Sequence, residues 1–331
     1  MKVDALVSNR SLRSSSHTTP IKRPFYKTSL YFIYHLPKNT ENGKMVSQPC
    51  KVVGHRGHLY RSLENTRHSI RLAAEHCHEV EIDVFLLKCG TLIVFHGGGT
   101  DQNPGCLKDY CNKNASILDL TYVEVLQLEF NPNHNEFGCG PDVINKLSKE
   151  QECYIPTLHD VLSDAKETGV VIKIELKGPG TADPVLKLVE KLNMVDQVHY
   201  SSFEHSRIKR IRELRPDRKM DGSYRYKTGA LFDEVPDNFV DMALDVGASE
   251  VHLKYSECTA EIVNSIHQAG MDSMIWMRGP IGMKDDVTHR FHDVGNEDEA
   301  MYLAILKTGV KAMCVNRPDV LLNLLKKIVW V

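Results

Sequence analysis

The sequence predicts an α/β protein built as a (β/α)8 TIM barrel, with a hairpin after the second strand and an inserted loop region over the barrel mouth. Eight short apolar segments after residue 50 have the length and composition of buried strands. Amphipathic segments lie between most of them, which is typical of parallel strands joined by helices. Eight such units over about 280 residues match a barrel whose catalytic groups lie at the C-terminal ends of the strands.

The elements are predicted as follows. The strand candidates are Val52–His55, Val80–Val84, Val170–Leu176, Gln197–Ser202, Thr228–Phe232, Ser249–Leu253, Ser273–Met277 and Lys311–Asn316. The helix candidates are Thr66–Cys77, Thr157–Thr168, Asp183–Leu192, Ser206–Leu214, Asn238–Val246, Thr259–Gln268 and Glu297–Thr308, with Val320–Val331 as a last amphipathic helix. Thr157 followed by Asp160 predicts a helix N-cap. Gly169, Gly270 and Gly309 predict the ends of three helices.

Composition limits the class of protein. The chain has 331 residues, of which 42% are hydrophobic and 25% charged, as in an ordinary soluble globular protein. A formal net charge of −2 gives no global attraction to nucleic acid or an anionic membrane. No apolar run approaches the roughly 20 residues that span a bilayer. The nine cysteines include no Cys-x-x-Cys pair, which favours a reducing compartment over a disulfide framework. The oligomeric state stays open.

The first 47 residues differ from residues 48–331, which we predict to form the barrel domain. Between Met1 and Thr40 there are seven Lys or Arg residues and one acid, Asp4, with several serines between them. Acid-poor leaders of this kind are typical of organelle transit peptides. An untethered terminal tail explains the same composition equally well. The sequence is therefore compatible with a cytoplasmic or an organellar location.

A histidine, an arginine and two carboxylates lie where the first two predicted strands end. Gly54-His55-Arg56-Gly57 follows one apolar run. In the second strand Glu81 and Asp83 alternate with aliphatic residues, so both carboxylates point to the same face. Two like charges on one face require a cation. This grouping indicates metal-assisted phosphate chemistry.

The segment Thr91–Phe95 interrupts the alternation of strands and helices. Only a short turn around Lys88–Gly90 separates it from the second strand, which is too few residues for a parallel crossover. It must therefore return as a hairpin, which brings His96 roughly opposite Asp83. Residues 100–154 are rich in Asn, Gly and Cys with weak periodicity, and they predict an insertion that serves as a lid or specificity loop.

A third carboxylate comes from the strand Val170–Leu176. Alternation places Lys173, Glu175 and Lys177 on one face. Three carboxylates in a barrel mouth would repel one another and take up protons unless a divalent cation lay between them. Oxygen ligands favour one Mg²⁺ or Ca²⁺ over zinc. An anionic phosphodiester would then need cationic partners, which Arg56 and Lys177 provide.

Two histidines beside a phosphate suit proton transfer. His55 and His96 can act as general acid and general base, and the sequence does not decide which has which role. Taken alone, each motif has a commoner structural explanation, such as a solvated edge strand or a surface ion pair. Their joint occurrence at successive strand ends is what favours a site.

Other candidate groups are weaker. His76-Cys77-His78 looks like a ligand set, but positions i and i+2 diverge on a helix, so we interpret it as a helix end. Trp276 ends a strand and fits either the floor of a pocket or the core. Five further histidines lack a partner at metal-ligand spacing and are interpreted as surface or packing residues; they are His205, His252, His267, His289 and His292.

These motifs together resemble the glycerophosphodiester phosphodiesterase family over most of the chain after Cys50. The matching segments, in chain order, are Gly54–Gly57, Glu64–Thr66, Glu81–Val84, Ile155–Leu158, Glu175–Lys177, Ser202–Phe203, Trp276 and Asn316–Asp319. The resemblance implies a barrel that hydrolyses glycerophosphodiesters to glycerol 3-phosphate and an alcohol. It implies a metal held by Glu81, Asp83 and Glu175, acid/base catalysis by His55 and His96, and phosphate contact by Arg56 and Lys177. Glu64, Asn65 and Trp276 would support the site.

The chain departs from the family pattern at three places. Gly97 follows His96 where the family usually has aspartate, Leu63 replaces a proline, and Val315-Asn316 replaces Thr-Asp. The change at Gly97 affects how the His96 imidazole is oriented, or passes a role to Asp101. Two alternatives remain. One is a phospholipase D-like enzyme of the same barrel that acts on lysophospholipids or sphingomyelin, and the other is a catalytically silent barrel that binds phosphodiesters.

Overall fold

The computed structural model describes residues 50–98, 104–111, 113–130, 154–277 and 297–329. The predicted N-terminal extension 1–47, part of the insertion, and the residues Asp101, His289 and His292 lie outside these ranges. The strands are β1 Lys51–Gly54, β2 Glu79–Leu86, β3 Leu92–Val94, β4 Val171–Leu176, β5 Val198–Ser202, β6 Lys227–Phe232, β7 Glu250–Lys254, β8 Asp272–Trp276 and β9 Ala312–Val315.

Eight of these strands are parallel and close into a barrel. Parallel pairing runs from β1 through β9, β8, β7, β6, β5 and β4 to β2, and β1 also pairs with β2. The predicted (β/α)8 barrel is confirmed. Strand limits differ from the predicted ones by one to a few residues, because strand pairing and not composition sets where a strand stops.

Helices follow most of the strands and cover the outside of the barrel. They are α1 Arg67–Ala74, α2 Lys108–Cys111, α3 Tyr122–Val125, α4 Leu158–Thr168, α5 Ala182–Lys191, α6 His205–Leu214, α7 Phe239–Asp245, α8 Ala260–Gln268, α9 Glu299–Leu306 and α10 Pro318–Val329. The Thr157 hydroxyl accepts from the Asp160 amide, and Gly169 ends α4 in the left-handed conformation, both as predicted. Within the described ranges, no helix combines the length and apolar character needed to cross a membrane.

The predicted hairpin is present, with a one-residue difference in register. β3 runs antiparallel to β2, with Val84 opposite Val94. The Phe95 amide donates to the Asp83 carbonyl at 2.9 Å, so Phe95 lies opposite Asp83 and His96 lies one residue further on. His96 therefore reaches the barrel mouth from the end of the hairpin and not from directly across the strand.

The described part of the insertion packs on this hairpin. Phe85, Phe95 and Tyr110 belong to one buried apolar cluster, and the rings of Phe95 and Tyr110 meet edge to face with centroids 4.7 Å apart. Short bridges join Gly98 to Cys106 and Cys106 to Ser116. Burial of these rings fixes Tyr110 above the barrel mouth, where it reaches the site described below.

A layer of charged side chains fills part of the barrel interior below the mouth. The Lys173 Nζ lies 2.5 Å from Glu250 Oε2 and 3.1 Å from Glu79 Oε2, and the lysine is 2% exposed. His199 Nδ1 lies 3.1 Å from the same ammonium. Lys173 therefore does share the inward face with Glu175, but it serves the lower layer of the barrel and not the mouth.

Candidate active site

A cavity of about 160 Å³ opens at the C-terminal ends of the strands. It is lined by His55, Arg56, Glu81, His96, Glu175, Ser201, Phe203, Leu231, His252, Met274, Trp276 and Cys314. The two histidines, the arginine, two of the three acids and the tryptophan predicted from the sequence therefore meet in one pocket. Asp83 and Lys177 lie against its acidic side, and Glu64 and Asn65 lie behind Arg56 and Asp83.

His55 follows β1 directly and is held by a polar group from the far end of the chain. Its Nδ1 lies 2.7 Å from Asn316 Oδ1, and both side chains are buried. Asn316 in turn donates from Nδ2 to Glu297 Oε1. Burial, followed by the positive charge of Arg56, lowers the pKa of His55 to about 3. The ring is therefore neutral at physiological pH before any ligand binds.

Arg56 adopts a left-handed backbone conformation, with φ 53°, immediately after His55. This turn directs its backbone amide to Glu81 Oε2 at 3.0 Å and its Nη1 to Glu64 Oε2 at 2.9 Å. The Tyr110 hydroxyl donates to the other oxygen of Glu64 at 2.7 Å. Burial raises the pKa of Glu64, and the charge of Arg56 opposes that shift. Arg56 is thus a fixed cation on the pocket wall.

The three acids predicted as metal ligands converge. One oxygen each of Glu81, Asp83 and Glu175 lies within 4.8 Å of the others. The strand register explains this, because β2 and β4 pair in parallel with Asp83 opposite Glu175. Burial and then the charges of Asp83 and Glu175 raise the pKa of Glu81 well above its usual range. This repulsion would be relieved by a cation between the carboxylates.

Asp83 is the acid that stays charged. Burial opposes its ionisation, but His96 in its protonated form, together with Lys177 and Arg56, outweighs burial and holds the pKa of this carboxyl below its usual range. Asn65 donates from Nδ2 to Asp83 Oδ2 at 2.9 Å and accepts from the Asp83 amide at 3.2 Å. Among the described residues, buried Asp83 Oδ1 has no hydrogen-bond partner.

The donor set therefore fits a hard divalent cation. It offers only carboxylate oxygens, the ligand type that Mg²⁺ and Ca²⁺ prefer. Lys177 Nζ lies 3.5 Å from Asp83 Oδ1 and 3.2 Å from Glu175 Oε1, and Arg56 Nε lies 3.6 Å from Asp83 Oδ2. Arg56 is already paired with Glu64, so these two cations do not neutralise the three carboxylates. The arrangement leaves negative charge for a metal to balance.

His96 completes the polar side of the pocket. It is half-buried as a residue, but its Nδ1 is buried and lacks a hydrogen-bond partner within the described part of the chain. Burial, then the charges of Arg56 and Lys177, lower its pKa well below the usual value. Both histidines are therefore uncharged imidazoles beside a cluster of fixed charges. Each can accept one proton at its free ring nitrogen and, once protonated, can release it again.

The opposite wall is aromatic. Trp276 and Phe203 meet edge to face with ring centroids 5.6 Å apart. His252 also lines the pocket, with its Nε2 2.9 Å from Glu250 Oε2. Gly229 makes space for this imidazole, because a Cβ there would lie 2.4 Å from the His252 ring. His252 is 1% exposed, in line with its interpretation as a surface or packing residue, but its ring also lines the pocket and has a carboxylate partner, which was not predicted from the sequence.

Four residues of the site environment were not found from the sequence: Tyr110, Glu297, Asn316 in its contact with His55, and His252. Tyr110 lies in an insertion without periodicity, so no pattern could have marked it. Glu297 was assigned to a helix that starts two residues later, after the Asp298 N-cap. The sequence signal for this start is Asp298, whose carboxylate accepts from the Met301 backbone amide as an N-cap. The inward position of His252 could have been deduced from strand alternation.

Comparisons with known proteins show which family and fold the chain resembles. A model of the glycerophosphoryl diester phosphodiesterase family matches residues 55–320. A curated glycerophosphodiester phosphodiesterase from Caldanaerobacter subterraneus subsp. tengcongensis is 24% identical over 282 residues, which cover 83% of this chain and 98% of the relative. A solved structure from Galdieria sulphuraria, assigned to the same enzyme class, is 26% identical with a TM-score of 0.65 over 85% of this chain and 100% of that one. An Oleispira antarctica phosphodiesterase, solved with its product sn-glycerol-3-phosphate, shares the fold at 18% identity and a TM-score of 0.63, covering 84% of this chain and 97% of that one.

Proposed function

Because the chain belongs to the glycerophosphoryl diester phosphodiesterase family, we propose that its pocket hydrolyses glycerophosphodiesters to glycerol 3-phosphate and an alcohol, with a divalent cation and two histidines. One observation carries the proposal. The three carboxylates of Glu81, Asp83 and Glu175 converge within 4.8 Å beside a pocket that also contains both histidines. A phosphodiesterase site needs a place for a metal and two proton carriers, and these residues supply both.

The phosphate would lie between the acidic cluster and the fixed cations. Glu81, Asp83 and Glu175 would hold Mg²⁺ or Ca²⁺, which when bound polarises the phosphoryl oxygens. Arg56 is held by Glu64 and so presents a planar guanidinium that suits two phosphate oxygens. Lys177 adds a second positive charge. These groups attract an anionic diester and stabilise the additional charge of its transition state.

The two imidazoles would move the protons. A water oxygen attacks phosphorus as one histidine accepts its proton, a P–O bond forms, and the P–O bond to the alcohol breaks. The other histidine, taken in its protonated form, which the negative charge of a bound phosphodiester favours, gives its extra proton to the leaving oxygen, so the products are a phosphomonoester and a neutral alcohol. Proton transfer of this kind contributes about 10²- to 10⁴-fold to rate, which sets the expected loss when either histidine is removed.

A substrate panel tests the proposal. The purified chain would be assayed with Mg²⁺, with Ca²⁺ and with EDTA, on glycerophosphocholine, glycerophosphoethanolamine and lysophosphatidylcholine. We expect glycerol 3-phosphate from the water-soluble diesters and loss of activity with EDTA. Release of lysophosphatidic acid from lysophosphatidylcholine alone would instead identify a phospholipase D-like enzyme. Binding without turnover of any substrate would identify a silent barrel.

Variants test the roles of the histidines. His55→Ala and His96→Ala should each lower kcat by about 10²- to 10⁴-fold. His159→Ala is the matched control, because this histidine is exposed at the start of α4, away from the pocket. Unchanged rates in both pocket variants would exclude the two-histidine mechanism, whereas activity that survives EDTA would exclude the metal and leave the histidines in place.

A further inference from the structure

Glu297 and Asn316 form a buried polar chain that ends on His55. Glu297 and Asn316 are both fully buried. Glu297 Oε2 accepts from the Asn316 backbone amide at 3.0 Å and from the Tyr302 hydroxyl at 2.6 Å, while Glu297 Oε1 accepts from Asn316 Nδ2. The Arg317 amide adds a longer contact of 3.3 Å to Oε2. Every one of these partners is a donor, which suits an ionised carboxylate.

The orientation of the Asn316 amide follows from this chain. Burial raises the pKa of Glu297 to about 7, so the carboxylate is ionised at pH 8. An ionised carboxylate only accepts hydrogen bonds, so Asn316 must turn its NH₂ group toward Glu297. Its Oδ1 then faces His55 Nδ1 at 2.7 Å, a distance that requires a proton between the two atoms. Because Oδ1 has no proton to give, the proton must reside on His55 Nδ1, and Nε2 is left as the ring nitrogen that can accept one.

We propose that Glu297 is a positioning residue that sets the tautomer of His55 through the amide of Asn316. The inference rests on the proposed function for its kinetic consequence, because only a proton-transfer role for His55 makes the tautomer matter for rate. The structural part stands on the contacts alone. Because a buried neutral imidazole carries a single proton, the group that binds one nitrogen decides the chemistry of the other.

Replacing the Glu297 carboxylate by an amide should reverse the donor and acceptor roles along the hydrogen bonds from residue 297 through Asn316 to His55. In Glu297→Gln the new side-chain oxygen keeps the Asn316 backbone amide and the Tyr302 hydroxyl as donors, and the new NH₂ faces Asn316. Asn316 then turns its oxygen toward that NH₂ and its own NH₂ toward His55. The imidazole must accept at Nδ1 and carry its proton on Nε2, so it can no longer take a proton at that nitrogen. At pH 8 we expect kcat to fall by about 10²- to 10⁴-fold with KM little changed.

A second substitution should reverse the loss. In Glu297→Gln combined with Asn316→Asp, the amide and the carboxylate exchange places. The new NH₂ group donates to the new carboxylate, whose other oxygen accepts from His55 Nδ1 and restores the proton to that atom. The double variant should recover kcat to within about tenfold of the wild type. Asn316→Asp alone places two buried carboxylates together and should lower the melting temperature.

The tautomer can be measured without any turnover. Nitrogen-15 NMR of the histidine side chains at pH 8 distinguishes Nδ1–H from Nε2–H, and loss of signal in His55→Ala assigns the ring. We expect Nδ1–H in the wild type and the double variant, and Nε2–H in Glu297→Gln. Glu190→Gln is the matched control, since Glu190 also accepts a tyrosine hydroxyl, from Tyr226 at 2.9 Å, but lies on α5.

The outcomes separate the two proposals. An inactive wild type would overturn the proposed function, while the NMR result would still decide whether Glu297 sets the tautomer. An active wild type with the same His55 tautomer in Glu297→Gln would overturn the inference alone. The inference would also be overturned if the double variant had the melting temperature of the wild type but kept the low kcat of Glu297→Gln. Glu297 would then serve only to stabilise the fold.

Discussion

Asn65 binds Asp83 at two points, donating from its side-chain nitrogen to the carboxylate at 2.9 Å and accepting from the Asp83 backbone amide at 3.2 Å. Asn65 does so from a left-handed backbone conformation with φ 55°, which asparagine tolerates better than most residues. One side chain therefore fixes both the strand and the carboxylate at this position. Asp83 is one of the three proposed metal ligands, and contacts of this kind behind a ligand commonly control the affinity for the metal.

The first prediction concerns this contact. Asn65→Asp keeps the size of the side chain but replaces the donor by an acceptor, which repels the Asp83 carboxylate. The affinity for Mg²⁺ or Ca²⁺ should fall by about 10- to 100-fold, as measured by titration calorimetry. Asn193→Asp is the control, because Asn193 has the same φ of 55° but is exposed in the loop between α5 and β5. Equal affinities in all three proteins would show that Asn65 does not orient the ligand.

The second prediction concerns the insertion. Tyr110→Phe removes the hydroxyl that donates to Glu64 at 2.7 Å, leaving a buried carboxylate oxygen with one partner fewer. Because Glu64 holds Arg56, the guanidinium becomes less constrained, and kcat/KM should fall about tenfold. The loss of the buried hydrogen bond should cost about 1–3 kcal/mol in the free energy of unfolding.

Tyr122→Phe provides the comparison for this variant. Its hydroxyl makes a 3.5 Å contact to the Ile155 carbonyl, and it does not contact Glu64. We expect its kinetics to match the wild type. If both phenylalanine variants reduced kcat/KM equally, the effect would come from the insertion as a whole and not from the contact to Glu64.

The fold was predictable because its signals are local and repeated. Each strand candidate is an apolar run with a definite end, and helix caps such as Thr157 and Gly169 depend on residues within four positions. The hairpin followed from chain length alone, since the turn before Thr91 is too short for a crossover. The predicted register of the hairpin differs from the observed one by one residue. The position of His96 depends on how β3 pairs with β2, which composition does not encode.

The site was predictable where its residues lie on strands or within two residues of a strand end. Glu81, Asp83 and Glu175 could be placed together because alternation and parallel pairing bring them to one mouth. Contacts between segments far apart in the sequence could not be predicted in this way. Asn316 meets His55 across 261 residues of sequence, and no local pattern relates the two. Such partners follow from barrel closure, in which β9 returns to β1.

The third prediction concerns the charged layer inside the barrel. Lys173→Met would leave the buried carboxylates of Glu79 and Glu250 without the ammonium that lies 3.1 and 2.5 Å from them. Removing one partner of a buried charge network is costly, so the free energy of unfolding in urea should fall by about 3–5 kcal/mol. Lys187→Met removes the same charge from an exposed position on α5 and should change it by less than about 0.5 kcal/mol. A loss below about 1 kcal/mol at Lys173 would mean that the remaining partners satisfy both acids.

The fourth prediction concerns His58, a buried histidine in the segment between β1 and α1. The side chain is fully buried, and neither ring nitrogen has a hydrogen-bond partner among the described residues. Burial lowers its pKa to about 4; the charges of Arg61 and His76 act in the same direction, and Asp319, with Oδ1 3.4 Å from Nε2, opposes them. The unfolded chain has a histidine pKa of about 6.5. Between these two pH values the unfolded state binds more protons.

The stability contributed by a neutral His58 is therefore complete above pH 6.5 and is lost as the pH falls toward 4. His58→Phe keeps an apolar ring of similar shape and removes the titration, and Asp319 retains its contact with Arg61 at 2.6 Å. Relative to wild type, the variant should gain on the order of 2 kcal/mol in the free energy of unfolding between pH 7 and pH 4.5. His159→Phe, at an exposed histidine, should show no such gain. Parallel pH profiles for wild type and His58→Phe would show that His58 is protonated in the folded protein, with Asp319 stabilising the charge.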